Sequence, residues 1–224
     1  MAHSSLIVAD RGAVRTLTVS RPDRLNTLDG ATMRALSEAL TAACDADGVR
    51  VVVLTGAGPT ACVADADIHE MNGLSAVQGR DVSLSVQRLM RQIERMPKPV
   101  IARFNGFALG GGLEWAMGCD LRIAADNARF GQPEISSGLN PGFGGSQRLL
   151  RLCGRAATPD LCLPGSPIDA NHALLDAVHM GGECSLEAGL DHERAQFGLL
   201  FATDDMREGT RAFPQRRPAH VEGR

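Results

Sequence analysis

A run of three glycines followed closely by a glutamate is the feature of this sequence that most directly indicates chemistry. Gly110, Gly111 and Gly112 come after a strand-like segment and before an apolar helical stretch that contains Glu114. Taken alone, a glutamate near a helix N-terminus is more often a surface residue that satisfies the helix dipole. Glycines, however, let a ligand approach the backbone closely, and free N–H groups at a helix start can point at a developing negative charge. The segment therefore predicts an oxyanion hole.

A second acidic residue lies on a Pro/Gly-rich loop farther along the chain. Glu134 stands between apolar residues, where its carboxylate would be partly desolvated. Two carboxylates that converge on one pocket can divide the acid and base roles of a reaction. Downstream, Ser146 is expected to cap a short helix over 147–152, which is a structural role rather than that of a nucleophile.

The elements that would position these residues alternate between strands and helices. Two β-rich runs, Leu6 to Ala9 and Val14 to Ser20, flank a turn at Gly12 and predict a hairpin. Apolar spacing predicts helices over 33–43, 82–96 and 186–201, and strands over 49–55, 100–104, 121–125 and 128–130. This order is an α/β pattern.

One domain with a helical appendage is the organisation that length and composition favour. The chain has 224 residues, of which 44% are hydrophobic and 22% charged, as is typical of a globular protein. Residues 1–155 are expected to form the α/β core and residues 156–224 a C-terminal helical region. The second part is too short to bury much core alone, so we expect it to pack on a neighbouring subunit.

Charge, cysteine and hydropathy patterns exclude several function classes. The net charge of −3 provides no broad positive field for nucleic acid or an anionic membrane. The six cysteines form no C-x-x-C pair, and the histidines form no zinc-binding pair on one helix turn, so no metal site is expected. No apolar run is long enough to span a bilayer, and no signal peptide is recognisable. A cytoplasmic protein with reduced thiols is expected.

Several ordered motifs together resemble the enoyl-CoA hydratase (crotonase) family. They are Val51-Val52-Val53-Leu54-Thr55-Gly56, Ala66-Asp67-Ile68, Pro97 to Ala102, Asn105 to Glu114, Cys119 to Ala124 and Phe130 to Glu134. The similarity runs from about Leu17 to Arg155 and resumes over Ser185 to Phe213. The resemblance implies a crotonase-type spiral of repeated ββα units with a C-terminal helical region. It also implies addition of water to a trans-2-enoyl-CoA to give a 3-hydroxyacyl-CoA, with no metal or organic cofactor.

The same resemblance implies roles for individual residues. Two backbone N–H groups that stabilise the enolate of the thioester fall by motif match on Ala66 and Gly111. Glu114 would orient and deprotonate water, and Glu134 would deliver a proton to the α-carbon. The substrate-binding residues implied are Arg24, Ala64, Asp67, Ile68, Gly110, Pro141 and Gly142. The expected partners are the acyl-CoA substrate and further copies of the chain, as a trimer or a dimer of trimers.

Two features depart from the family pattern. Asp65 stands where the family usually has glycine, immediately before the first oxyanion-hole residue. If its carboxylate faced the enolate oxygen at about 6 Å, repulsion of roughly 3 kcal/mol would slow the reaction about a hundredfold. If it pointed to solvent, only the backbone preference would be affected. The second departure is the absence of a few tens of residues between Ala170 and Ser185, where the family has a further strand and helices.

Three alternative functions compete with hydration. Gly56 to Ala61 fits G-x-G-x-x-A, but no helix opens there and no acidic residue ends a second strand, which disfavours dinucleotide binding. Double-bond isomerisation within the same family can proceed with one carboxylate, whereas both Glu114 and Glu134 are present. A non-catalytic family member that binds acyl-CoA or a partner protein is the third alternative, suggested by Asp65 and by the missing segment.

Overall fold

A computed structural model describes residues 5–162 and 184–221 of the chain. The chain divides into two compact units, of which the first contains residues 1–66 and 88–130 and the second contains residues 67–87 and 131–224. The predicted division into residues 1–155 and 156–224 stays a prediction. The missing segment that the sequence indicates between Ala170 and Ser185 falls largely within 163–183, outside the described residues.

Strands and helices alternate along the described chain. The strands are β1 (Leu6–Arg11), β2 (Val14–Val19), β3 (Val51–Gly56), β4 (Ala61–Ala64), β5 (Val100–Phe104), β6 (Phe107–Leu109), β7 (Leu121–Ala124) and β8 (Arg129–Gly131). The helices are α1 (Gly30–Asp45), α2 (Ile68–Met71), α3 (Ala76–Glu94), α4 (Gly111–Met117), α5 (Gly145–Cys162), α6 (Leu186–Leu200) and α7 (Asp204–Ala212). Short 3-10 helices cover Pro22–Arg24 and Glu134–Ser137.

Two sheets organise the strands. The five-stranded sheet has the order β1-β2-β3-β5-β7, and the three-stranded sheet has the order β4-β6-β8. The β1–β2 hairpin is antiparallel and turns at Gly12, where φ is +58°, as predicted. β2–β3, β3–β5 and β5–β7 pair in parallel. Since consecutive strands from β3 onward alternate between the sheets, the predicted α/β fold of repeated ββα units is confirmed.

Short strands β4 and β6 were not expected from the sequence. They have four and three residues, with Val63 as the one β-branched residue in the two, so neither shows the alternation that identifies a strand. Gly56 explains how β3 and β4 follow each other so closely. A Cβ at Gly56 would overlap the carbonyl oxygen of Cys62, so only glycine allows this approach.

Each unit has an apolar core of its own. In the first unit, α1 buries Leu36 and Leu40, and Asp29 caps the helix by accepting a hydrogen bond from Thr32 N–H at 2.7 Å. In the second unit, the ring of Phe197 contacts the rings of Phe143 and Phe201. Among the helices that the structure describes, none is both long and apolar enough to cross a membrane.

Candidate active site

Helix α4 positions two of the predicted residues on one rigid element. It begins at Gly111, contains Glu114 at its fourth position, and buries all seven of its residues. Glu114 is only 1% exposed, which excludes the interpretation of this glutamate as a surface residue. Its N–H donates to the carbonyl oxygen of Gly110 at 2.9 Å, so the helix ladder fixes its backbone.

Ala66 is positioned by a short segment that follows β4. Ala64 N–H donates to Leu25 O at 3.1 Å, and Leu28 N–H donates to Asp65 O at 3.0 Å. Leu28 and Ala66 form an isolated parallel β-bridge. These contacts hold the backbone of residues 64–66 in place within the first unit.

The N–H groups of Ala66 and Gly111 point at the same atom. Ala66 N–H donates to Asp65 Oδ1 at 2.6 Å, and Gly111 N–H donates to the same oxygen at 2.9 Å. The two residues are far apart in the sequence, but the β4 and α4 segments place their amides around one point. This geometry is that of a two-donor pocket for an oxygen that carries negative charge.

The carboxylate of Asp65 therefore lies between the two donors. The sequence left two expectations, a carboxylate that faces the enolate oxygen at about 6 Å or one that points to solvent. The structure shows neither, because Asp65 Oδ1 itself accepts the hydrogen bonds of both donors. Burial raises the pKa of the Asp65 carboxyl to about 6, while the hydrogen bonds from Gly111 and Ala66 act in the opposite direction. The backbone at Asp65 has a φ of +86°, in the region that disfavours side chains, although aspartate tolerates it better than most residues.

Glu134 belongs to the second unit, where it opens the 3-10 helix Glu134–Ser137 and is 8% exposed. Its carbonyl oxygen accepts a hydrogen bond from Leu139 N–H at 3.1 Å. Helix α7 approaches this turn very closely, since a Cβ at Gly209 would overlap the carbonyl oxygen of Ser137. The turn that positions Glu134 is therefore fixed by tertiary packing as well as by its own hydrogen bonds.

Pro141 and Gly142, two of the predicted substrate-binding residues, also lie in the second unit. The carbonyl oxygen of Gly142 accepts hydrogen bonds from the Ser83 hydroxyl and from Gln87 Nε2. The preceding Asn140 is fully buried, and neither polar atom of its amide has a hydrogen-bond partner among the described residues. A buried amide without a partner is costly, so this loop would gain from a polar group bound beside it.

A buried glutamate that the sequence analysis missed caps helix α5. Glu193 accepts hydrogen bonds from Gly144 N–H at 2.6 Å, from Ser146 N–H at 3.0 Å, and from the Ser146 hydroxyl. The prediction that Ser146 caps its helix is wrong, because Ser146 lies inside the first turn and its hydroxyl donates to Glu193. A signal was present in the sequence. Glu193 lies between Leu190 and Phe197 on the apolar face of α6, where an unsatisfied carboxylate would be unfavourable.

Glu193 is expected to make stability depend on pH. Burial raises the pKa of its carboxyl to about 7, against opposing hydrogen bonds from Ser146 and the charge of Arg148. The folded chain then binds more protons than the unfolded chain between the ordinary glutamate pKa and about 7. The free energy of unfolding should therefore fall as pH rises through this window, by at most about 1.4 kcal/mol per pH unit.

Urea denaturation at about pH 5, 6, 7 and 8 measures this slope. Glu193→Gln should lose the Glu193 contribution, whereas Glu187→Gln, at an exposed position of the same helix, should keep it. Equal slopes for the wild type and Glu193→Gln would contradict the assignment.

The remaining predicted residues are distributed over both units. The first unit contains Arg24, Ala64 and Gly110, and the second contains Asp67 and Ile68. The carboxylate of Asp67 accepts a hydrogen bond from His69 N–H at 3.3 Å and so caps α2. No cluster of three or more His, Cys, Asp or Glu side chains that could hold a metal ion occurs in residues 5–162 and 184–221.

Arg24 lines a surface cleft of about 700 Å³ together with Arg21, Asp23 and Asp29. Arg21 forms an ion pair with Asp29 at 3.0 Å and donates to the carbonyl oxygen of Thr27. Its guanidinium therefore holds the loop that forms one wall of the cleft.

Comparison with known proteins gives one consistent answer. Residues 10–181 match the family model described as enoyl-CoA hydratase/isomerase. A crotonyl-CoA hydratase of Syntrophomonas wolfei is 37% identical, and the match covers 98% of each chain. A short-chain-enoyl-CoA hydratase of Clostridium acetobutylicum is 35% identical, with 97% of each chain covered. The first alignment spans 256 residues, more than the 224 of this chain, so it includes positions that this chain lacks.

Solved structures agree with the sequence matches. The crystal structure of an enoyl-CoA hydratase from Bacillus anthracis superimposes with a TM-score of 0.68 at 30% identity, covering 98% of this chain and 100% of that one. The match of the family model to most of the chain, the full-length relatives and the shared fold lead to a single conclusion. The chain belongs to the enoyl-CoA hydratase/isomerase family.

Proposed function

We propose that this protein adds water across the double bond of a 2-enoyl-CoA thioester and forms a 3-hydroxyacyl-CoA. The observation that supports this most directly is the convergence of Ala66 and Gly111 N–H on one oxygen atom. Attack of water at C3 moves an electron pair toward the thioester carbonyl, whose oxygen becomes negative in the enolate. Each fixed donor aimed at that oxygen lowers the barrier by about 3 kcal/mol.

Two carboxylates complete the proposed reaction. Glu114, one helical turn after Gly111, orients water and takes its proton as the hydroxyl group bonds to C3. Glu134 delivers a proton to C2, which discharges the enolate and frees the carbonyl oxygen from its donors. Water addition is redox-neutral and two carboxylates suffice to move its protons, so the proposed reaction uses no cofactor.

In this proposal, the coenzyme A substrate contacts the surface cleft of the first unit and the loops that contain the predicted substrate-binding residues. Arg24 offers a guanidinium to the phosphates at the cleft that it shares with Arg21. Ala64 and Gly110 border the two donors, and Asp67, Ile68, Pro141 and Gly142 contact the substrate in the proposal. The buried amide of Asn140, next to Pro141, supports a bound group at that loop.

The proposal includes a homo-oligomer, either a trimer or a dimer of trimers, that acts in the cytoplasm. Strand β7 is one of the two edges of the five-stranded sheet, and all four of its residues are exposed, including Leu121 and Ile123. Large apolar side chains on such an edge are typical of a surface that a second copy covers. The cysteines are free, which agrees with a reducing compartment.

The test of the function is the fate of crotonyl-CoA in the presence of purified protein. Hydration removes the ultraviolet absorbance of the conjugated thioester and yields 3-hydroxybutyryl-CoA, which chromatography identifies. A 3-enoyl-CoA that becomes conjugated without water addition would assign an isomerase instead. Binding of acyl-CoA with no turnover of either substrate would assign a non-catalytic member of the family.

Glu114→Gln is expected to lower kcat for hydration about a hundredfold, because glutamine cannot take the proton of the attacking water. Exchange of the α-proton of butyryl-CoA in D₂O should fall less, since that step is assigned to Glu134. Proton NMR follows the exchange and absorbance follows the hydration. Glu38→Gln, at an exposed position of α1, is the matched control. Equal losses in both reactions would contradict this division of roles.

A further inference from the structure

The pocket formed by Ala66 and Gly111 N–H is occupied by the protein itself. Both donors contact Asp65 Oδ1, at 2.6 and 2.9 Å, so both amides form hydrogen bonds with the carboxylate. A carboxylate oxygen has the charge and the hydrogen-bonding capacity of an enolate oxygen. The side chain of Asp65 therefore imitates, within the resting protein, the group that the two donors stabilise during hydration.

The backbone around Asp65 is shaped for this arrangement. The φ of +86° at Asp65 directs its side chain back toward the following amide. Gly110 has a φ of +48°, and a Cβ at that position would overlap the Asp65 carboxylate. The carboxylate thus fits in space that the absence of a side chain at Gly110 leaves open.

Among the described residues, the Asp65 carboxylate is held by backbone amides and not by an ion pair. In the part of the chain that the structure describes, its hydrogen bonds come from Ala66 and Gly111 N–H. Asp65 as a residue is half-buried, while its carboxylate is buried at the two amides. Rotation of the side chain costs two hydrogen bonds but separates no buried pair of opposite charges.

We propose that Asp65 is a specificity-determining residue, whose carboxylate occupies the oxyanion hole until a thioester oxygen displaces it. This inference rests on the proposed function, because it assumes that the substrate oxygen binds at the same two amides. A neutral carbonyl oxygen is a weaker acceptor than a carboxylate and competes poorly for the donors. Displacement therefore depends on binding energy from the rest of the molecule, and this requirement favours complete acyl-CoA thioesters over truncated ones.

Three substitutions test this competition. Asp65→Gly removes the carboxylate and relieves the backbone, and Asp65→Ala removes the carboxylate but keeps the strain. Asp65→Asn retains a neutral acceptor of the same shape. For crotonyl-CoA hydration, kcat/KM should rise about a hundredfold in the glycine variant and about tenfold in the asparagine variant, by analogy with the loss of one oxyanion donor. A gain for glycine without one for alanine would assign the effect to strain and overturn the proposal.

A spectroscopic readout is independent of turnover. A cinnamoyl-CoA with a para-dialkylamino group shifts its absorbance to longer wavelength when its carbonyl oxygen accepts hydrogen bonds. The wild type should bind this probe with a small shift, and Asp65→Gly and Asp65→Ala should give a larger shift and tighter binding. The same large shift in the wild type and in all variants would refute the proposal. Because the spectrum reports only on bound probe, this result would count even if a variant had low stability.

The two measurements also separate this inference from the proposed function. If no variant hydrates crotonyl-CoA but the probe shifts only when the carboxylate is absent, Asp65 has the role described and the hydratase assignment fails. If the wild type hydrates crotonyl-CoA and the substitutions change neither kcat/KM nor the probe spectrum, the hydratase assignment stands and the role of Asp65 fails.

Discussion

Glu134→Gln is expected to lower kcat for crotonyl-CoA hydration about a thousandfold while acyl-CoA binding stays nearly unchanged, because a positioned general acid contributes about a hundred- to ten-thousandfold. Glutamine has the shape of glutamate but cannot deliver a proton to C2. The 3-10 helix that positions residue 134 is fixed by its own backbone bonds and by the close approach of α7, so the substitution should leave the turn intact. Absorbance assays give kcat, and calorimetry with butyryl-CoA gives the affinity.

The control for this variant is Glu187→Gln, an exposed glutamate in the same unit. It should retain wild-type kcat within about a factor of two, because surface substitutions seldom affect the folded state. Residual hydration by Glu134→Gln above about a tenth of the wild-type rate would remove Glu134 from the proton transfer. A parallel loss of acyl-CoA binding would instead indicate damage to the turn.

Gly112→Ala is expected to lower hydration about a hundred- to a thousandfold, the range of effects that follow the loss of one oxyanion donor. A Cβ at Gly112 would overlap the carbonyl oxygen of Val63 on β4. The Val63 carbonyl and the first turn of α4 are both backbone, and they cannot move aside as a flexible side chain could. The added methyl group must therefore push β4 and α4 apart. The two donors lie just beyond β4 and at the start of α4, and the separation moves them apart. Steady-state kinetics and chemical denaturation measure the effects, with unfolding destabilised by up to about 3 kcal/mol.

Gly118, at the end of the same helix, provides the matched control. Its φ is −76°, and a Cβ there would be 3.4 Å from its nearest neighbours, which is an ordinary contact. Gly118→Ala should therefore keep hydration and stability close to those of the wild type. Similar losses in Gly112→Ala and Gly118→Ala would show that the close approach of β4 to α4 is not what holds the donors together.

Local patterns predicted the long elements of the fold but not the short strands β4 and β6. The hairpin at Gly12 and helix α1 follow from turn chemistry and from apolar spacing, both of which act over a few residues. Strand β4 has no such pattern, since its existence depends on pairing with β6, which follows more than 40 residues later in the chain. The sequence predicted a strand at the position of β8 but not its neighbours β4 and β6, so the three-stranded sheet as a whole was not predicted.

The candidate site shows the same division. The glycines before Glu114 indicated a backbone donor, and the family resemblance supplied Ala66 as its partner. The orientation of Asp65 could not be predicted, because it depends on one backbone dihedral angle and on the absent side chain of Gly110. The cap that Glu193 provides for α5 joins residues 47 positions apart, and no local capping rule covers that distance.

The adjacency of Asp65 and Ala66 in the chain makes the competing carboxylate a tethered ligand. One peptide bond fixes its effective concentration, which neither dilution nor dialysis can lower. A free carboxylate in the buffer must compete with the attached Asp65 side chain for the same two amides, and it would bind there poorly. The Asp65 carboxylate should therefore lower kcat/KM for the thioester by the same factor in a dilute assay as in concentrated solution.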